Sequence, residues 1–233
     1  MSGRIIAIGD IHGCAVALSA LIEAIDPRPN DTIIPLGDYV DRGLDSRGVL
    51  DQLIDLERRC QLIPILGNHD EMMLHARDSE SDFQDWMTVG GAATLDSYGS
   101  TGTLAKIPLG HFEFLARCRS YYETETHLFV HANYQPNLPL DQQDDHHLRW
   151  LSLRDSIPES HMSGKVAVVG HTPQPDILDL GYLIDIDTGC CRGGWLTALD
   201  PVGRQAWQFN ERGQARTPEL DRENPLIMDR PDA

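Results

Sequence analysis

Apolar runs of four or five residues recur along the first third of the chain, each ending in glycine and then turning polar. Arg4 to Ile8 ends at Gly9, Thr32 to Leu36 at Gly37, and Leu62 to Leu66 at Gly67. Runs this short and this apolar read as buried strands. Between the first two, Leu18, Leu21, Ile22 and Ile25 fall at helical spacing until Asp26-Pro27 stops the helix. Between the second and third, Ser46 is placed to cap a helix whose apolar face is Val49, Leu50, Leu53 and Ile54. Strands alternating with helices predict an α/β fold with a parallel sheet core.

The rhythm changes over residues 71–122, which are rich in Met, Asp and Ser and carry Gly90-Gly91 and a turn at Ser97 to Ser100. This stretch reads as a mostly helical insertion over one face. Strands return at His127 to Val130 and Val166 to Val169. Tyr182 to Ile186, Trp195 to Asp200 and Gln205 to Phe209 then follow at close spacing, which predicts antiparallel neighbours. From Asn210 to Ala233 the chain is polar, charged and Pro-containing, and reads as a mobile tail. One domain over 1–209 and a tail over 210–233 is therefore expected, in keeping with a length of 233 residues.

Charge narrows the partners. The chain has 36 acidic and 19 basic residues and a net charge of −17, which argues against nucleic acid polymers and anionic membranes. The longest apolar runs are about five residues, too short to span a bilayer or to form a signal peptide, so a cytoplasmic location is expected. Five cysteines without paired spacing (Cys14, Cys60, Cys118, Cys190 and Cys191) suit reduced thiols rather than a disulfide framework or a zinc cluster. Lys106 and Lys165 are the only lysines. The basic residues are otherwise arginines, which favour bidentate pairing with carboxylate or phosphate.

Five polar clusters follow the predicted strands: Gly9-Asp10-Ile11-His12-Gly13, Gly37-Asp38-Tyr39-Val40-Asp41-Arg42-Gly43, Gly67-Asn68-His69-Asp70, His131-Ala132-Asn133 and Gly170-His171-Thr172. In open α/β sheets the ligand site lies at the carboxyl ends of the strands, so these clusters can converge. Carboxylates, imidazoles and an amide oxygen without thiolates suit Mn, Fe or catalytic Zn rather than structural zinc. Asp10 and His12 can face one ion, Asp38 can bridge two, and Asn68, His131 and His171 can complete the second. Any one cluster alone is more often an ordinary turn; all of them in order, each at a strand end, point to a site.

This order of motifs resembles the phosphoprotein phosphatases of the calcineurin-like metallophosphoesterase superfamily, above all the bacterial and phage lambda-type serine/threonine phosphatases. It is also similar to the symmetrical diadenosine tetraphosphate hydrolases. The resemblance runs over about residues 4–209, and Ile186 to Gly189 with Gly193 to Leu199 look like the family's closing strands. It implies a two-sheet sandwich flanked by helices, with the helical insertion near the active site. It implies two divalent metal ions, Mn²⁺ first and Fe or Zn as alternatives. Asp10 and His12 would bind the first ion, Asp38 would bridge, and Asn68, His131 and His171 would bind the second. Arg42 would hold phosphate oxygens with Asn68 beside it, and His69, oriented by Asp41, would protonate the leaving alkoxide. A hydroxide bridging the two ions would attack phosphorus in line. The expected substrate is a phosphoprotein or phosphopeptide. A dinucleoside polyphosphate is the alternative, and a non-catalytic scaffold of the same fold a remote one.

The substrate signals are mixed. Asp41 is typical of the protein phosphatases, whereas Asp70 in Gly-Asn-His-Asp looks like the dinucleotide hydrolases. The insertion holds few cations for a polyphosphate chain, namely Arg77, Lys106, His111, Arg117 and Arg119. A second phosphate-binding arginine is expected near Trp150, and Arg149 and Arg154 are its candidates. Arg192 beside Gly193 is a third candidate but reads more readily as a hairpin-turn arginine. Asp187 reads as a turn residue, Cys190-Cys191 as small residues at a turn, and His146-His147 as a solvated loop.

Overall fold

The computed structural model describes residues 3–218. Side chains alternate across its central strands, and the two faces of each pack against different partners. β1 (Ile5–Ile8), β2 (Thr32–Pro35) and β3 (Gln61–Leu62) run parallel. Ile6, Ile8 and Ile33 face helices, whereas Ala7 and Ile34 face a second sheet. That sheet holds β4 (Tyr121–Glu123), β5 (His127–Val130), β6 (Val166–Val169), β7 (Leu178–Asp179) and β8 (Leu183–Asp185), in the order β4-β5-β6-β8-β7. Phe129, Val168 and Ile184 point into the space between the sheets, while Leu128, Ala167 and Leu183 point outward under a separate apolar layer. The chain then returns to the first sheet through β9 (Asp187–Thr188), β10 (Trp195–Asp200), β11 (Gln205–Phe209) and β12 (Ala215–Arg216), with β10 antiparallel to β1. The fold is thus α/β, a two-sheet sandwich with helices outside it.

Helices α1 (Ala15–Ile25) and α2 (Ser46–Leu56) cover the first sheet. The 71–122 stretch is mainly helical, as expected: α3 (Asn68–His75), α4 (Glu80–Trp86), a π-helical turn (Met87–Gly91), α5 (Ala92–Ser97) and α6 (Leu109–Ala116). A short α7 (Asp145–Arg149) follows β5. Among the described residues no helix is long and apolar enough to cross a membrane, and all five cysteines are free thiols.

Several local expectations are corrected. Asp45, not Ser46, caps α2 by accepting from Gly48 N (2.8 Å), while the Ser46 hydroxyl is buried and accepts from Asp41 N (3.1 Å). The strand expected over Leu62 to Leu66 is regular only at Gln61–Leu62, although Ile63 N and Ile65 N go on donating to Ile33 O and Pro35 O of β2 (2.9 Å each). Tyr182 to Ile186 is no neighbour of Trp195 to Asp200, since β8 runs parallel to β6 in the other sheet. His146-His147 lies in α7, whose N-cap Asp144 binds His147. The segment beginning at Asn210 continues the fold, because β12 pairs with β11; the rest of the expected tail, 219–233, lies outside the described residues.

One ion pair, between half-buried Arg4 and buried Asp31, ties the start of β1 to the β2 entrance. The Asp31 carboxylate accepts from Arg4 Nε (3.1 Å), Arg4 Nη2 (2.6 Å), Arg4 N (2.9 Å) and Arg28 N (3.0 Å). Burial alone would raise its pKa, but these bonds outweigh burial and lower it to about 2. A lowered folded-state pKa stabilises above the unfolded value and loses that contribution as pH falls. Asp31→Asn should cost roughly 1–2 kcal/mol at pH 7. The gap from wild type in denaturant melts should close as pH drops from 4 towards 2.

Candidate active site

The loops leaving β1, β2, β5 and β6, with the N-terminus of α3, bring the polar clusters together at one end of the sandwich. Backbone strain marks the place. Among the described residues seven non-glycine residues have positive φ, and five of them belong to the clusters: His12 (43°), Asp38 (52°), Asp41 (72°), Arg42 (66°) and His171 (66°). Residues held in this region gather at functional sites. Two glycines allow the close approach. A Cβ on Gly67 would strike the Asp38 carboxylate, and one on Gly170 would strike Asp10 Oδ1.

Three site histidines spend one ring nitrogen on a backbone carbonyl, which directs the lone pair of the other inward. His12 Nδ1 donates to Val40 O (2.8 Å), His131 Nδ1 to Leu36 O (2.9 Å) and His171 Nε2 to Trp150 O (3.1 Å). The freed nitrogens of His131 and His171 meet other acceptors, and that of His12 faces an acceptor as well as the Arg42 Nη1 donor (2.8 Å). His131 Nε2 and His171 Nδ1 each lie 3.0 Å from Asn68 Oδ1, and His131 Nε2 lies 3.5 Å from Asp38 Oδ1. His12 Nε2 lies 3.2 Å from Asp38 Oδ2. Lone pairs facing lone pairs at this range suit a cation among them, so this donor set fits a divalent metal.

Two groups have ligand atoms within 4.8 Å of one another: His12, Asp38 and His69, and Asp38, His131 and His171. Asp38 belongs to both, one oxygen towards each side, which is the geometry of a bridge. Asp10 stands outside both groups. Its carboxylate accepts from His171 N (3.0 and 3.2 Å). Burial, then the charges of Asp187 and Asp38, push its pKa well up. Burial also works against ionised Asp38, but His131, His69 and His12 outweigh it and hold that carboxyl well down. Burial, then His131, lowers His171 to about 4, which leaves its imidazole neutral and ready to ligate at neutral pH.

Beside this centre His69 Nδ1 donates to Asp41 Oδ2 (2.8 Å), and the His69 ring packs edge-on to His12 with centroids 4.8 Å apart. Both members of the pair are buried. Asp41 is held in turn by the insertion. Trp86 Nε1 donates to its two oxygens (3.0 Å each) and Thr94 Oγ1 donates to Oδ1 (2.7 Å).

A bridging carboxylate between two histidine groups, with a histidine–aspartate pair alongside, is an arrangement for phosphoryl chemistry. The family model for calcineurin-like phosphoesterases matches residues 3–204. The chain belongs to the calcineurin-like phosphoesterase family. Over 200 residues it is 32% identical to serine/threonine-protein phosphatase 1 of Salmonella typhimurium, covering 82% of this chain and 88% of that one. Over 260 residues it is 24% identical to the symmetrical bis(5'-nucleosyl)-tetraphosphatase of a Janthinobacterium species, covering 87% and 94%. A solved structure provisionally assigned as a diadenosine tetraphosphatase superposes with a TM-score of 0.69 at 22% identity, covering 95% and 96%. The chain is therefore a hydrolase acting on phosphoric esters.

In this phosphoesterase a crevice of about 140 Å³ opens over the centre, lined by Asp38, Asn68, His69 and His171 together with Arg42, Arg154 and Arg192. Arg154 thus faces the site and Arg149 does not. Arg149 is buried and ion-paired with Glu71 (3.1 Å) and Asp145 (2.5 Å), locking α7 to α3. Arg192, the third candidate, read more readily as a hairpin-turn arginine, lines the crevice from its 3-10 turn (Cys190–Arg192). Asp187 is no exposed turn residue but a buried strand residue whose charge acts on Asp10.

Asp70 does not line the crevice. Its carboxylate accepts from Tyr39 N (2.9 Å) and Gly67 N (3.1 Å), a helix-start role shut off from the crevice. None of the insertion's cations lines the crevice. Arg77 covers Phe112, Arg119 covers Tyr122 and Arg117 pairs with Glu57, while the crevice cations come from other loops. Trp86 and Thr94 went unnoticed because neither stands in a motif.

Proposed function

We propose that this phosphoesterase is a serine/threonine protein phosphatase in the cytoplasm, acting on phosphoprotein or phosphopeptide monoesters. The observation that carries this reading is the His69–Asp41 pair at the crevice. A serine or threonine alkoxide is a poor leaving group and needs a proton as the P–O bond breaks. A phosphoanhydride releases a far weaker base and needs an acid much less. The 32% identity to a protein phosphatase over most of both chains supports the same reading.

Asp10, His12, Asp38, Asn68, His131 and His171 would hold two divalent ions, with Mn²⁺ the expected pair. When bound, these ions supply Lewis acidity towards the phosphoryl group and an activated water. The chain's own residues do the rest. Arg42 and Arg154 grip the phosphoryl oxygens with paired N–H donors. His69 holds a proton for the leaving oxygen, and Asp41 keeps the imidazole in the tautomer and pose that allow the transfer.

If Trp86 and Thr94 fix that pose, Trp86→Phe should lower kcat on an alkyl phosphate by about tenfold, with KM little changed. It leaves Asp41 one donor short in a buried place. A rise in KM with kcat unchanged would show that Trp86 acts on the fold of the crevice instead.

The second reading is a symmetrical dinucleoside polyphosphate hydrolase, favoured by the 24% relative spanning 94% of its length. Comparison of kcat/KM for phosphoserine peptides and diadenosine tetraphosphate, at equal Mn²⁺ and salt, separates the two. Peptides should win. If the dinucleotide wins by about tenfold, roughly 1.4 kcal/mol of transition-state preference, the second reading stands.

A further inference from the structure

Among the described residues some arginines have a carboxylate within ion-pair distance and others do not, Arg28, Arg59, Arg77, Arg119 and Arg212 belonging with the crevice arginines to the second group. Seven arginines, Arg4, Arg47, Arg58, Arg117, Arg149, Arg204 and Arg216, sit in ion pairs with carboxylates. The three that line the crevice have no carboxylate within ion-pair distance among the described residues. Arg42 Nη1 donates to His12 Nε2 (2.8 Å) and Arg154 Nη2 to Pro173 O (3.5 Å), and neither contact neutralises a guanidinium. Arg192 lines the same crevice from the turn before β10. With 36 acidic residues in the chain, three cations left without acidic partners in about 140 Å³ are a concentration that the composition does not predict.

One phosphate monoester does not use all of them. Its dianion would already meet two metal ions, and a pair of guanidinium forks completes the oxygen contacts. A third guanidinium beyond those has no phosphoryl oxygen left on that group. The Arg192 side chain is exposed beside the crevice, and a guanidinium fork at that place finds its natural partner in a second anion.

We propose that Arg192 forms a second phosphate subsite beside the hydrolysed group, so that the crevice takes substrates carrying two adjacent phosphates. This rests on the phosphoesterase reading of the site. The second phosphate has two sources: a doubly phosphorylated segment of a protein, or the next phosphate of a polyphosphate chain. In both cases the local positive field also explains how a chain of charge −17 admits a polyanion, because exposed charges beyond about 8–10 Å are screened and the three arginines dominate nearby.

The test is competitive inhibition of the Mn²⁺-loaded enzyme on an aryl phosphate, using methylenediphosphonate and inorganic phosphate at constant free Mn²⁺. Wild type should bind the diphosphonate about tenfold or more tightly than phosphate. Arg192→Gln should collapse that ratio by about tenfold, and Arg192→Lys, which keeps the charge but not the fork, should restore part of it. A ratio within twofold of wild type in Arg192→Gln overturns the subsite.

Substrates then assign the source. If Arg192→Gln hurts a doubly phosphorylated peptide more than a singly phosphorylated one, the second phosphate lies on protein. If diadenosine tetraphosphate is the best substrate and takes the largest loss, the subsite stands and the protein phosphatase reading falls. If a singly phosphorylated peptide is best and Arg192→Gln changes all substrates alike, the phosphatase reading stands and the subsite falls.

Discussion

His69→Ala should lower kcat on an alkyl phosphate by about 10²-fold or more, the scale of general acid catalysis. On an aryl phosphate the loss should shrink, because a phenolate leaves with little help from a proton. The geometry behind this is specific. The imidazole is buried, its Nδ1 is taken by Asp41, and it lines the crevice where a leaving oxygen would lie. Asp41 cannot turn away, since Trp86 and Thr94 hold it. Equal losses on both substrates would remove His69 from the proton-donor role. Arg42→Ala should separate from it by raising KM as well, because a guanidinium that holds the dianion does so before and during the reaction.

Asp38→Asn should cost still more. Asp38 is shared by both ligand groups, so an amide there weakens both ion sites at once. Activity should fall below that of His69→Ala and below that of Asp10→Asn. A second readout does not depend on turnover. Metal at 100 times its dissociation constant stabilises a folded protein by about 2.7 kcal/mol, so Mn²⁺ should raise the wild-type melting temperature clearly and that of Asp38→Asn little. Near-normal turnover with the full thermal shift in Asp38→Asn would show that no bridge exists.

What was legible in the chain was local. Asp10, His12, Asp38, Asn68, His131 and His171 stand beside strand ends, and a strand end followed by glycine and an acid or imidazole is a short pattern that one sequence can carry. The structure brings these residues together, although Asp10 lies outside the two ligand groups. What was not legible depended on distant partners. Arg149 and Arg154 look alike along the chain, and it is Glu71, 78 positions before Arg149, that joins Asp145 in holding Arg149 buried. Trp86 and Thr94 reach Asp41 across more than 40 residues of sequence. Asp187 follows apolar residues and precedes Thr188-Gly189 like any turn acid, yet β9 pairs with β10 and buries it. The direction of β8 was misread for a related reason: close spacing suggests a hairpin, but Leu183 to Asp185 pair with β6.

The account depends most on two ions sharing Asp38. Metal content per chain, measured by elemental analysis after loading with Mn²⁺ and removal of free metal, tests it directly. Two equivalents in wild type, falling to one or none in Asp38→Asn, are predicted. A single equivalent in wild type that Asp38→Asn leaves in place would contradict it.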